Sequence, residues 1–174
     1  MTRVLIVHEE NAVRRQLVAV LREGRCAVSE ADSLPLAQRA VASGSFDVVV
    51  TGKKLPDGDG MAVLWTARQA DPSLPVVFVG ANATAPAPGD VLKAGAFDML
   101  VPPLQPERIR ASVARASERF RLRRENEALR AEMQRHATPV SLDGPSPAMA
   151  QLRERVEALA RTDAPVLVVG EAGT

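Results

Sequence analysis

The stretch FDVVVTGKKLPDGDG at residues 46–60 decides the fold, because an apolar run gives way there to turn-forming residues. Residues 48–50 are three valines, which predicts a short strand that is buried on both faces. Residues 55–60 contain one proline, two aspartates and two glycines, a composition typical of a tight loop. A helical pattern over residues 61–70 follows. This stretch therefore predicts a strand, a loop and a helix in that order.

The same alternation recurs along the first hundred residues. Further apolar runs predict strands at residues 4–7, 27–28, 76–79 and 99–101. Helical spacing predicts helices over residues 11–22 and after Ser33. Pro86, Pro88 and Gly89 restrict the helix before the fifth strand to about residues 90–93. Strands and helices that alternate in this way favour an α/β fold, a doubly wound five-stranded parallel sheet with helices on both faces.

Composition excludes several classes of protein. The chain has 174 residues, a net charge of +1 and 46% hydrophobic residues, as expected for a globular protein. A single cysteine rules out an intrachain disulfide and a cysteine-based zinc site. No apolar run has the roughly 18 residues that a membrane helix needs. We therefore expect a cytoplasmic protein with no membrane partner.

Residues 105–140 are strongly basic, with nine arginines and five glutamates for a net charge of +4. Helical spacing from Pro106 predicts a helix that carries two apolar stripes. The first stripe continues the globular domain to about residue 120 and consists of Ile109, Val113, Ala116 and Phe120. The second lies about 200° around the helix and consists of Leu122, Asn126, Leu129 and Met133. It predicts the seam of a homodimer; the alternative is a solvated, arginine-rich linker helix.

Residues 138–147 contain three prolines and a glycine, which predicts a boundary. A helix over residues 149–161 and a strand over 166–169 are expected next. The sequence then reads Gly170-Glu171-Ala172-Gly173-Thr174. These five residues match the beginning of the pattern G-x-x-x-x-G-K-[ST], in which backbone N–H groups and a lysine bind phosphates.

Two parts of the sequence resemble known families. The run at 46–51, the loop at 55–60 and the segment Ala94-Gly95-Ala96-Phe97-Asp98 resemble response-regulator receiver domains. Residues 144–149 together with 166–174 resemble the start of the AAA+ domain in sigma-54-dependent transcriptional activators. The resemblance implies a receiver domain at residues 1–105, a helical linker and possible coiled coil at 106–137, and an N-terminal AAA+ fragment at 141–174.

The receiver resemblance implies a site whose usual residues are largely absent. The family uses an aspartate after the third strand, two acidic residues that bind Mg²⁺, a Ser or Thr, and a lysine. Their positions correspond here to Gly52, to the pair His8 and Glu9, to Gly80 and to Pro102. Glu10 follows Glu9, so these two glutamates are the remnant of a metal site, although histidine is a poor ligand for Mg²⁺. No catalytic residue is therefore predicted.

The resemblance implies the regulatory part of a sigma-54-dependent activator, controlled without phosphorylation. Two alternatives remain: a receiver that binds a protein or ligand independently of phosphate, or an unconventional phospho-receiver that uses Asp57 or Asp59. This chain is expected to be no enzyme and to hold no cofactor, whereas its full-length parent would be an AAA+ ATPase with ATP and Mg²⁺. Sigma-54 RNA polymerase and DNA would bind through domains outside it, and a sensor kinase is a possible partner.

Overall fold

The structure is a computed structural model that describes residues 1–80, 88–136, 146–162, 165–167 and 169–170. Contacts divide the chain into two compact units, residues 1–128 and 129–174. The strands are β1 Arg3–Val7, β2 Ala27–Ala31, β3 Val48–Gly52, β4 Lys54–Leu55, β5 Gly58–Asp59, β6 Val76–Val79 and β7 Asp98–Leu100. The helices are α1 Asn11–Glu23, α2 Leu34–Ala42, α3 Gly60–Ala70, α4 Pro88–Lys93, α5 Pro106–His136 and α6 Pro147–Leu159.

Five of these strands form one parallel sheet in the order β2-β1-β3-β6-β7. In the register of this sheet, Val7 lies opposite Thr51, and Gly52 lies opposite Val79. Because all five strands are parallel, their C-terminal ends meet at one edge. The five-stranded parallel sheet predicted from the sequence is confirmed.

The sheet buries apolar side chains on both faces. One face packs against α2 and α3, with Ala37, Val41, Val63 and Leu64 in its core. The opposite face packs against α1 and α5, with Leu17, Leu21, Ile109 and Val113 in its core. Valines occupy successive positions in β3 because this strand has core on both sides. The doubly wound arrangement is therefore confirmed.

Two connections on the sheet differ in how well the sequence predicted them. The short helix before β7 is confirmed as α4, which has only six residues. Part of the segment that precedes it, residues 81–87, lies outside the described residues. The loop at 55–60 is not wholly irregular, because β4 and β5 pair as a small antiparallel hairpin within it.

The first half of α5 packs on the sheet and the second half does not. The predicted first stripe is buried: Ile109, Val113, Ala116 and Phe120 are 0–3% exposed. The second stripe is open, with Leu122 at 51%, Leu129 at 54% and Met133 at 72% exposed. Across the described ranges, no helix is both long enough and apolar enough to cross a membrane.

The second unit contains the predicted helix, α6. Ser146 caps α6, since its Oγ accepts a hydrogen bond from the Met149 N–H at 3.3 Å. The strand expected at residues 166–169 is not formed at its described positions, where the side chains of Val166, Leu167 and Val169 are 57–86% exposed. A strand needs a neighbour for its backbone hydrogen bonds, and the described part of this unit contains no other strand.

Candidate functional site

The C-terminal edge of the sheet brings the predicted site positions together. His8 follows β1, Gly52 ends β3 and Gly80 follows β6. Pro102 lies two residues after the end of β7. The Gly80 N–H donates a hydrogen bond to the Leu100 carbonyl at 3.0 Å, which joins two of these strand ends. Ligands of open α/β sheets bind at this edge, so it is the candidate site.

His8 occupies the space beside Gly52. A Cβ atom added to Gly52 would lie 2.5 Å from Cδ2 and 2.9 Å from Nε2 of the His8 imidazole. Carbon atoms that are not bonded keep about 3.5–4.0 Å apart. The imidazole therefore fills the volume that a side chain at position 52 would need, and the two residues fit each other as a pair.

A backbone hydrogen bond holds the His8 ring in one orientation. His8 is 9% exposed, and its Nδ1 accepts a hydrogen bond from the Glu10 N–H at 3.0 Å. An accepting Nδ1 places the proton of a neutral imidazole on Nε2. Burial lowers the pKa of His8 and outweighs the opposing effect of Glu10 and Glu9; the positive charge of Arg14 lowers it further. His8 is therefore a neutral side chain at physiological pH.

Arg14 supplies a positive charge to the loop after β1. Its Nη1 donates to the His8 carbonyl at 2.6 Å and to the Glu9 carbonyl at 3.0 Å. Its Nε lies 3.7 Å from a carboxylate oxygen of Glu30, and only 13% of the Arg14 side chain is exposed. The guanidinium thus ties the end of β1 to β2 and α1.

The residues at this edge do not fit Mg²⁺, the metal that the receiver fold implies. Magnesium needs several oxygen ligands in octahedral geometry, whereas β3 ends in a glycine and a neutral imidazole lies beside it. Glu9 and Glu10, the predicted metal remnants, are both exposed, and Arg14 bonds the nearby carbonyl of Glu9. Nowhere in the described ranges do three His, Cys, Asp or Glu side chains group as metal ligands would.

Asp57 and Asp59 cap two different helices. Asp57 Oδ1 accepts a hydrogen bond from the Leu34 N–H at 3.2 Å, at the start of α2. Ser33, which the sequence predicts as the cap of α2, makes no side-chain bond to that helix. Asp59 Oδ1 accepts from the Ala62 N–H at 2.9 Å, at the start of α3. Both carboxylates are thus engaged with positive helix ends, which supports their structural role in the loop.

Gly60 allows α3 to begin in contact with β3. A Cβ atom there would collide with the Gly52 carbonyl oxygen and would lie 2.9 Å from the Phe78 ring. The Gly60 N–H also donates to the Lys53 carbonyl at 2.7 Å. Sequence reasoning missed this contact, the cap from Asp57 and the role of Arg14. Aspartates and glycines at residues 57–60 are a sequence signal for helix caps and a close approach of the backbone. In contrast, nothing in the sequence distinguishes Arg14 from an exposed helical arginine.

Of the two further predicted sites, the phosphate loop is only partly described and the seam of α5 is described in full. Gly170, the first residue of the predicted phosphate loop, is exposed, and Glu171, Ala172, Gly173 and Thr174 lie outside the described residues. The predicted seam residues are described: Asn126 is exposed, as are Leu122, Leu129 and Met133. Their spacing of four, three and four places them on one face of α5.

Comparisons with known proteins agree with this fold. The family model for the response regulator receiver domain matches residues 4–114. The alginate biosynthesis transcriptional regulatory protein AlgB of Pseudomonas aeruginosa is 33% identical over 172 residues, which are 99% of this chain and 38% of AlgB. The chain therefore spans less than two-fifths of the length of this curated relative.

Solved structures agree as well. NtrX from Brucella abortus, crystallised with ADP, has a TM-score of 0.68 at 26% identity and covers 92% of this chain and 36% of NtrX. The beryllofluoride-activated NtrC4 receiver domain, solved as a dimer, has a TM-score of 0.64 at 27% identity and covers 69% of this chain and 99% of that receiver. The parallel sheet, its flanking helices and the matched family model together show that the chain belongs to the response regulator receiver domain family.

Proposed function

We propose that this chain is the regulatory part of a sigma-54-dependent transcriptional activator whose receiver works without phosphorylation. The membership of the receiver family and the match to transcriptional regulatory proteins such as AlgB along 99% of the chain support this function. Residues 106–137 would link the receiver to the beginning of an AAA+ domain at residues 141–174. In the longer protein, that domain would bind ATP and Mg²⁺, and other domains would contact sigma-54 RNA polymerase and DNA.

The contact between His8 and Gly52 is the observation that carries this proposal. A phosphoryl group transferred to a receiver needs a carboxylate nucleophile at the end of the third strand, and Gly52 has no side chain. The buried imidazole fills the space where that carboxylate would stand. Gly80 and Pro102 likewise offer neither a hydroxyl nor an amine to a phosphoryl group. The receiver would then control the AAA+ domain through protein contacts.

Phosphorylation tests this proposal directly. The chain is incubated with acetyl phosphate and Mg²⁺ and its intact mass is measured, with an aspartate-bearing receiver as the positive control. We expect no increase of about 80 Da, the mass of one phosphoryl group, and no binding of beryllofluoride. A stoichiometric adduct that peptide mapping assigns to Asp57 or Asp59 would instead establish the unconventional phospho-receiver.

We further infer that the chain forms a homodimer through the second stripe of α5. Leu122, Leu129 and Met133 are more than half exposed, although full burial stabilises such side chains by about 1.5–3 kcal/mol each. A second copy of the same helix would cover them, with Asn126 fixing the register. The ion pair of Arg121 with Glu125, at 3.6 Å, lies on the same half of the helix and contributes little by itself because it is exposed.

A further inference from the structure

A cavity of about 350 Å³ lies at the N-terminal edge of the sheet, opposite the edge that holds His8 and Gly52. Its walls are the loop before β6, the loop before β7 and the face of α5 around Phe120. Three arginines line it: Arg68, Arg119 and Arg123. Among the described residues that line it, none is acidic.

Two of these guanidinium groups are held in place by the fold. Arg68 Nη1 donates to the Ala94 carbonyl at 3.0 Å and lies directly over Gly95. Gly95 has a φ of +99°, and a Cβ atom there would collide with Arg68 Nη1, so a glycine is required for this contact. The Arg119 Cζ lies 5.8 Å from the centroid of the Phe97 ring, within the range of a cation–π contact.

Within the part of the chain that the structure describes, the three arginines differ from their neighbours in having no carboxylate partner. One turn earlier on α5, Arg115 pairs with Asp98 at 3.0 Å. Between Arg119 and Arg123 in the sequence, Arg121 pairs with Glu118 at 2.8 Å. Throughout the described residues, no ion pair involves any of the three arginines of the cavity.

The carboxylate closest to Arg68 along the chain is also engaged elsewhere. Asp71, which precedes the loop before β6, accepts hydrogen bonds from the Ser73 N–H at 2.8 Å and from the Ser73 hydroxyl at 2.6 Å. Three positive charges around one concavity repel each other unless an anion lies between them. The cavity therefore has an unmatched positive charge.

We propose that this cavity binds a small ligand that carries a phosphate group. The planar guanidinium forms paired hydrogen bonds to phosphate oxygens, which makes arginine the favoured residue for such ligands. The volume lies within the range of small-molecule sites. Backbone N–H groups of the rim are already used, since Gly95 donates to the Leu92 carbonyl and Phe97 to the Val76 carbonyl. The arginine side chains are therefore the available donors.

Calorimetric titration with inorganic pyrophosphate tests this proposal, with sodium chloride keeping the ionic strength constant. The variant that combines Arg119→Gln with Arg123→Gln removes two charges from exposed helix positions and should keep the fold, which circular dichroism verifies. We expect the affinity for pyrophosphate to fall by about tenfold or more in this variant. Arg39→Gln, at an exposed position of α2 outside the cavity, is the matched control and should leave the affinity within about twofold.

Three results would overturn the proposal. The first is that pyrophosphate does not bind to the unchanged chain, and the second is that the double variant binds it as well as the unchanged chain does. The third is that a glutamate-rich peptide of equal charge binds more tightly through the same two arginines. That outcome would assign the surface to an acidic protein segment instead of a phosphate-bearing small molecule. None of these results depends on whether Gly52 prevents phosphorylation.

Discussion

The C-terminal edge of the sheet and the second half of α5 differ in whether their side chains have partners. At the sheet edge, His8 fills the space beside Gly52, Arg14 bonds two carbonyls, and Asp57 and Asp59 cap two helices. On α5 beyond Phe120, apolar side chains stand open to solvent. Side chains at the C-terminal edge of the sheet are therefore packed and hydrogen-bonded, whereas the apolar side chains on the second half of α5 are exposed. Changes at the first region should alter folding stability, and changes at the second should alter association.

The largest expected effect is on folding stability and comes from Gly52→Ala. The added Cβ would lie 2.5 Å from the His8 ring, and such overpacking costs about 1–3 kcal/mol of unfolding free energy. Urea denaturation measures this cost. Gly89→Ala is the matched control, because a Cβ there meets nothing within 4 Å.

A double-mutant cycle assigns that cost to one contact. In the background of His8→Ala, the imidazole is gone and Gly52→Ala should cost much less than it does alone. An equal cost in both backgrounds would show that His8 does not fill this space, and the picture of a closed edge would fail.

A smaller effect on stability, with a large effect on association, is expected from Leu122→Asp combined with Leu129→Asp. Both side chains are more than half exposed, so unfolding free energy should change by no more than about 0.5 kcal/mol. Sedimentation should show a monomer where the unchanged chain is a dimer, because two carboxylates in an apolar seam oppose pairing.

The matched control for the seam is Ala128→Asp combined with Ala131→Asp. These changes add the same charge on the other side of α5, and they should leave the dimer intact. A monomeric unchanged chain at tens of micromolar, or an unfolded receiver in the seam variant, would contradict the assignment of the second stripe to dimerisation.

The smallest expected effect is a pH dependence at the closed edge. Burial lowers the pKa of His8 in the folded protein, so the unfolded chain binds the proton more readily. Neutral His8 therefore makes its full contribution to folding stability above its pKa in the unfolded chain, about 6.5. That contribution is lost as the pH falls below this value. Urea midpoints at about pH 7.5 and 5.5 should therefore differ less in His8→Asn than in the unchanged chain. Equal differences would mean that His8 is not buried as a neutral ring.

Sequence reasoning predicted the fold well because the strands are apolar runs with valines on both faces. It also separated the two stripes of α5, since a shift of two residues turns the helix by about 200°. Residue type is a weaker guide inside helices: in α2, Leu36 is 48% exposed, whereas the smaller Ala37 is fully buried. Spacing does not say which side of a short helix meets the sheet.

The candidate site was predictable in its positions and not in its contacts. The sequence places Gly52, Gly80 and Pro102 after strands, and parallel topology brings those positions to one edge. Nothing in the order of residues indicates that the His8 ring lies against Gly52 or that Asp57 reaches the start of α2. Those contacts join residues that are 44 and 23 positions apart, and only the packed fold defines them.

The fit of His8 against Gly52 also constrains how this sequence can evolve. An aspartate at position 52 would collide with the imidazole as long as His8 is present. A mutation of His8 to a smaller residue removes the ring, and only then is there room for a side chain at position 52. The two mutations therefore have to occur in one order: His8 changes first, and a side chain at position 52, at the end of β3, follows.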